Sequence, residues 1–156
     1  MNQTILPAPV RRSFAVKAAP ARAFETFTSR MEAWWPTTHS INRGTTMTGI
    51  VIEPRLGGRW YERGADGSQR QWGRVLVWEP PARLVLAWQI DATWSFNPDL
   101  VTEVEVRFLP DGNATRVEFE HRHLERFGAA GEKLRGQIDS ASGWTLLLER
   151  YAAAAA

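Results

Sequence analysis

Residues 72–88 read WGRVLVWEPPARLVLAW. Two runs rich in β-branched and aromatic residues flank Pro80-Pro81, a pair that can donate nothing to a strand ladder. The stretch is therefore two strands in succession, and it decides the fold class. In the second run Leu84, Leu86, Trp88 and Ile90 fall on one face, the alternation of a half-buried strand. The first run belongs to a long strand over 69–79, where Trp72, Leu76 and Trp78 compete with Val75 and Val77 for the inward face. A bulge would reconcile the two phases, at a place the residues leave open.

Upstream, Asp66-Gly67 is a hairpin signal joining that strand to Arg59-Trp60-Tyr61-Glu62-Arg63. Gly57-Gly58 turns the chain into the latter from a strand over 47–54 that carries Ile50, Val51 and Ile52 and ends at Pro54. A polar loop from Thr37 to Thr46 precedes it. Before the loop lie two short helical pieces. One starts at Pro20 and presents Ala23, Phe24 and Phe27; the other runs from Met31 to Trp35 and is stopped by Pro36. Residues 9–18 alternate, with Val10, Phe14, Val16 and Ala18 on one side.

Downstream, Asp91 to Asp99 is a loop bearing Trp94 and Phe96. Residues 100–109 place Val104, Val106 and Phe108 inward, and Asp111-Gly112-Asn113 turns the chain into 114–123, where Val117, Phe119, His121 and His123 share a face. Gly128 and Gly131 bound a mobile link. From Glu132 onward Leu134, Ile138, Ala141, Thr145 and Leu148 recur at helical spacing, which predicts one long C-terminal helix. Gly143 then falls mid-helix, where glycine costs about 1 kcal/mol relative to alanine. It marks either a close approach to the sheet beside Trp144 or a tolerated defect. The pattern predicts an α+β fold in one domain over 1–156. A curved antiparallel sheet of six to seven strands grips the long helix, with two short helices, around an apolar cavity.

Composition narrows the function. Eight tryptophans in 156 residues point to pocket walls as well as core. Seventeen arginines are scattered among seventeen acids, with no run longer than Arg11-Arg12, so no concentrated basic face for nucleic acid is expected. With no cysteine there is neither disulfide nor thiolate chemistry. No segment approaches ~18 continuous apolar residues, which argues against a spanning helix, and MNQTILPAPV lacks the marks of a signal peptide, so the expected location is cytoplasmic.

The segments PARAFETFTS (20–29), MEAWWP (31–36), EPRLGGRWYE (53–62), residues 72–88 and SGWTLLLERY (142–151) together resemble the SRPBCC superfamily, the START and birch-pollen-allergen helix-grip fold. Within it they look most like the activator of heat shock protein 90 ATPase C-terminal-like group, over about residues 9–151. The resemblance implies a cavity between sheet and C-terminal helix that takes apolar or amphipathic small molecules. Some relatives in the superfamily carry lipids or hormones, others are cyclases. Three readings follow. Binding of a small hydrophobic or aromatic molecule leads, a cyclase- or hydrolase-like enzyme in the same cavity is second, and a chaperone-partner interaction module is third.

Trp88, Phe119 and Trp144 are the candidate pocket walls, with Trp60 and Trp72 beside them and His121 as a polar member. His121 is also the candidate general base, although Glu118 and Glu120 alternate to the opposite face. His121 and His123 could meet one metal only with a third ligand such as His39 or Glu125, and no metal or other cofactor is expected. No phosphate-binding glycine loop, nucleophile elbow or H-E-x-x-H is present. Strand phase decides whether Arg59, Arg74 and Gln89 turn inward, and one buried arginine would select a carboxylate or phenolate.

Overall fold

The computed structural model describes residues 6–156. Seven antiparallel strands lie in the order β1-β7-β6-β5-β4-β3-β2. They are β1 Val10–Val16, β2 Met47–Ile52, β3 Arg59–Gly64, β4 Gln69–Glu79, β5 Arg83–Trp88, β6 Thr102–Asp111 and β7 Ala114–Arg122. The strands from β2 to β7 form a meander, and β1 pairs with β7 in unbroken register from Val10↔His121 to Val16↔Thr115. Gly67 and Gly112 take φ of 85° and 60° in the β3–β4 and β6–β7 hairpins, a conformation other residues adopt at a cost. This is the α+β helix-grip architecture.

β4 carries two bulges. Against β3 the register passes from Trp60↔Gly73 to Tyr61↔Gln71, leaving Trp72 extra. Against β5 it passes from Val75↔Leu86 to Val77↔Val85, leaving Leu76 extra. Trp72, Val75 and Trp78, each three apart, therefore all reach the helix-covered side. Trp72 and Val75 join the core, and Trp78 packs edge-on to Phe24 at 5.0 Å. A plain strand would have sent every second one to the other face.

Helix α1 (Pro20–Phe27) and the 3₁₀ turn Met31–Ala33 cover the sheet from one end. The expected long C-terminal helix is two: α2 (Gly131–Ile138) and α3 (Trp144–Ala155). Gly143 caps the start of α3 instead of lying inside a helix. A Cβ there would stand 2.3 Å from the Ile138 carbonyl oxygen, so the glycine permits the chain to fold back against the end of α2, not against the sheet. Tyr151 fastens α3 to α1, its buried hydroxyl donating to the Ala23 carbonyl at 2.7 Å. The expected link near Gly128 is a 3₁₀ segment, Leu124–Ala130, kinked at Gly128 with φ of 74°.

The opposite face of the sheet carries ion pairs. Glu105 accepts from Arg83 and, at 2.7 Å, from Arg122, which also holds Glu103 at 2.9 Å. Burial raises the Glu105 pKa, but the two guanidiniums outweigh it and hold the carboxyl down at about 2. Arg59 and Arg74 lie outside the helix-covered core. Arg59 stacks on Tyr61 at 4.5 Å and pairs with Glu53, while Arg74 donates to Gln89 at 3.1 Å. Gln89 is buried and spends its amide on the Pro98 carbonyl. The expectation that one of the three turns into the cavity is corrected: Arg59 stays exposed, Arg74 is half-buried against Gln89, and Gln89 is buried against the loop at Pro98.

Candidate functional site

Trp34, Trp35, Trp60, Trp72, Trp88 and Trp144 form one connected aromatic wall on the concave side of the sheet. Trp72 meets Trp35 and Trp88 at 5.4 and 5.3 Å between ring centres, and Trp88 meets Trp144 at 5.7 Å. Most contacts are edge-to-face or tilted, the arrangement the ring quadrupole favours. All six rings are buried. The space between sheet and helices is therefore largely filled by indoles, and what stays open is a cleft of about 610 Å³. Its floor is made by Trp72 and Trp88 of the sheet, Trp35 from the segment after α1, and Trp144 and Leu147 of α3.

The six expected pocket residues divide evenly. Trp72, Trp88 and Trp144 line the cleft; Trp60, Phe119 and His121 stand behind it as packing. Phe119 supports Trp144 at 4.6 Å, and Trp60 supports Trp72 and Trp88 at 5.7 and 5.8 Å. The indole N–H of Trp60 is the one buried side-chain donor among the described residues without a partner.

His121 belongs to a buried relay. Trp144 Nε1 donates to its Nδ1 at 3.1 Å, which fixes the proton on Nε2, and Nε2 donates to Thr102 Oγ1 at 2.8 Å. Thr102 Oγ1 in turn donates to the Trp88 carbonyl at 3.1 Å. Desolvation pushes the imidazole pKa down to about 3. A neutral ring with both nitrogens engaged has no free lone pair for a substrate, so the general-base expectation is revised: His121 spaces and orients Trp88 and Trp144. His123 leaves the shared face altogether. β7 ends at Arg122, and His123 turns out with φ of 65° to stand 3.7 Å from both Glu103 and Glu125. Among the described residues no group of three His, Cys, Asp or Glu could hold a metal ion.

The rim is polar and comes from separate segments. Glu62, fully buried on β3, accepts from Ile41 N at 2.7 Å, from Trp72 Nε1 at 3.0 Å and from Ser40 Oγ. One carboxylate thereby ties the 37–46 loop to the floor. That loop presents Thr38, His39 and Ser40 to the cleft. His39 Nε2 donates to the Ser142 carbonyl at 2.7 Å, bridging the loop to the turn between α2 and α3, and its backbone oxygen accepts from Trp35 Nε1 at 3.0 Å. Across the mouth stands Trp94, half-buried, with φ of 59°. Its loop is held by Asp91, whose Oδ1 accepts from the backbone of Thr93 and Ser95.

Sequence reasoning missed Trp35, Trp94 and the rim. Trp94 left one signal, a large aromatic in a loop where solvent was expected. Trp35 was legible only as the end of a helical piece. The rim left none, because Lys133, His39 and Ser142 are brought together by the fold alone.

Residues 17–156 match the family model of the Activator of Hsp90 ATPase homolog 1-like protein. The chain belongs to that family. The chain is similar to solved structures along nearly its whole length. An anthrahydroquino-Gama-pyrone synthase, Txn09, solved as a complex, is 40% identical over 99% of each chain with a TM-score of 0.66. The self-sacrificing resistance protein CalC from Micromonospora echinospora is 31% identical over 94% of this chain and 93% of its own, with a TM-score of 0.71. A protein from Nitrosomonas europaea, 14% identical over 94% and 92% with a TM-score of 0.66, shares the fold alone. No curated protein matches the chain. No described helix is long and apolar enough to cross a membrane.

Proposed function

We propose that this protein binds a flat aromatic small molecule in the cleft between the tryptophan wall and the turn joining α2 and α3. The cleft itself carries the reading. Its volume, about 610 Å³, is that of a small-molecule site, and its floor is four indoles and a leucine under a polar rim. Indole edges and faces reward a planar, polarisable ligand more than a flexible alkyl chain. Burying such a ligand against Trp72, Trp88 and Trp144 should perturb their emission.

Titration with 2-methylanthraquinone and with palmitate, read by tryptophan fluorescence, tests this directly. Saturable quenching by the aromatic probe, with weaker or no response to palmitate, is the expected result. A flat response to both would sink it.

A second reading, ring-closing chemistry on a ligand held in the same place, draws support from the 40% identity to a protein described as a synthase. The two readings part on what is recovered. A carrier returns its ligand unchanged, whereas an enzyme returns an isomer or dehydrated product detectable by mass spectrometry after many turnovers. His121, with both ring nitrogens engaged behind the floor, takes no part in such a step.

A further inference from the structure

The polar groups of the cleft are unequal in what they have left to give. Thr38 Oγ1 meets His39 Nδ1 at 3.2 Å, and His39 Nε2 is spent on the Ser142 carbonyl. Ser40 is spent on Glu62. Ser140 donates to the Gln137 carbonyl at 2.7 Å and meets the Ser142 hydroxyl at 3.2 Å. Apart from the Trp94 indole across the mouth, the polar side chains that line the cleft without a protein hydrogen bond or ion pair, among the described residues, are Lys133 and Gln137. They stand one turn apart on α2, so both reach the same rim.

The charge around them is one-sided. No carboxylate and no arginine lines the cleft among the described residues. The acids on the surrounding elements are turned to other partners. Glu62, behind Ser40, is surrounded by three donors; Asp91 caps its own loop; Asp139, beyond the end of α2, pairs with Arg12 at 2.6 Å. Glu132 precedes Lys133 on α2 and lines no part of the cleft. His39, on the facing loop, is the remaining titratable group. An apolar floor beside an unopposed ammonium and a free amide donor matches a ligand that is aromatic on one side and anionic on the other.

We infer that the ligand is an aromatic acid, a phenolate or carboxylate, and that Lys133, assisted by Gln137, selects its ionised form. The inference rests on the proposed aromatic ligand and adds its charge. The anionic-ligand chemistry expected from a buried arginine moves to a lysine on the rim.

The hydroxyanthraquinone alizarin reports this, because its visible absorbance changes on ionisation, and neutral 2-methylanthraquinone serves as its control. Binding to the native protein should lower the dye's apparent pKa by about one unit, a roughly tenfold preference for the anion, and added salt should shrink the shift. Lys133→Met should remove most of the shift, Lys133→Glu should reverse it, and Gln137→Leu should reduce it. All three should change the affinity for 2-methylanthraquinone far less than that for alizarin. An unshifted dye pKa with normal tryptophan quenching, or a shift that survives Lys133→Met, would overturn the inference and leave the aromatic site standing. Failure of both probes to quench would overturn the site and the inference together.

Discussion

His121 shows how burial converts a reactive residue into a structural one. Between pH 6.5 and about 3 the unfolded chain binds a proton at this imidazole that the folded chain refuses. Stability contributed by the neutral ring is thus complete above pH 6.5 and falls as pH drops, by up to about 1.4 kcal/mol per unit. Urea unfolding from pH 7 to 4.5 should show that slope, and His121→Gln should flatten it. The same substitution should cost about 1–3 kcal/mol at pH 7, because it disturbs the acceptor for the buried Trp144 N–H. An unchanged slope would mean another group titrates in this window. Trp94 is the converse case, a partly exposed ring in a costly backbone conformation. Trp94→Gly should relieve about 1 kcal/mol of left-handed strain, offsetting its lost contacts. Calorimetry should therefore find a melting temperature within a few degrees of the parent. Affinity for 2-methylanthraquinone should nevertheless fall about tenfold, as the loss of one aromatic contact worth about 1.4 kcal/mol would give. Equal affinity would remove Trp94 from the site.

At the scale of elements, α2 and α3 are separated by Gly143 and not merely interrupted by it. Gly143→Ala would drive a Cβ into the Ile138 and Gln137 carbonyls, at 2.3 and 2.8 Å. The backbone cannot yield cheaply there, so a loss of more than about 1 kcal/mol is expected. Gly136, inside α2, faces nothing within 4 Å of its missing Cβ. Gly136→Ala should stabilise by about 0.5–1 kcal/mol on helix propensity. Opposite signs for the two substitutions in thermal melts would confirm where the helix breaks; equal signs would restore the single long helix. The bulges of β4 act at the same level. They return Trp72, Val75 and Trp78 to one side, which is how a single strand supplies both cleft floor and the seat for Phe24.

Across the whole molecule, two faces of one sheet answer to different forces. The concave side is held by packed rings, and the outer side by carboxylate–guanidinium pairs centred on Glu105. That carboxyl, held at about 2 when folded against an ordinary 4.5, contributes stability that is present above pH 4.5 and is lost as pH falls toward 2. Glu105→Gln should therefore weaken the parent's acid sensitivity below pH 4.5 while leaving the His121 slope above it, as paired urea titrations would reveal. Hydrogen exchange should be slowest in β6, β7 and α3, which bury one another, and faster in the 37–46 loop. Exchange in α3 as fast as in that loop would contradict the grip of helix on sheet.

The sequence alone determined the strands, their hairpins and their succession along the chain, because period-two alternation and turn chemistry act between near neighbours; the pairing of β1 with β7 came from the tertiary structure. Residues 72–88, with Pro80-Pro81 between two apolar runs, were enough to start the sheet. It also determined that tryptophan would dominate the interior. Only the tertiary structure decided which indoles are floor and which are packing, since that depends on how far the bulged β4 and the broken C-terminal helix let rings approach. It also fixed His121 as a spacer by placing Trp144 and Thr102 on its two nitrogens. And it assembled the rim, where His39, Trp94 and Lys133 meet across a cleft although ~40–95 residues of chain separate them. No local pattern records such meetings. They are set by the volume the core must fill and the hydrogen bonds it must close.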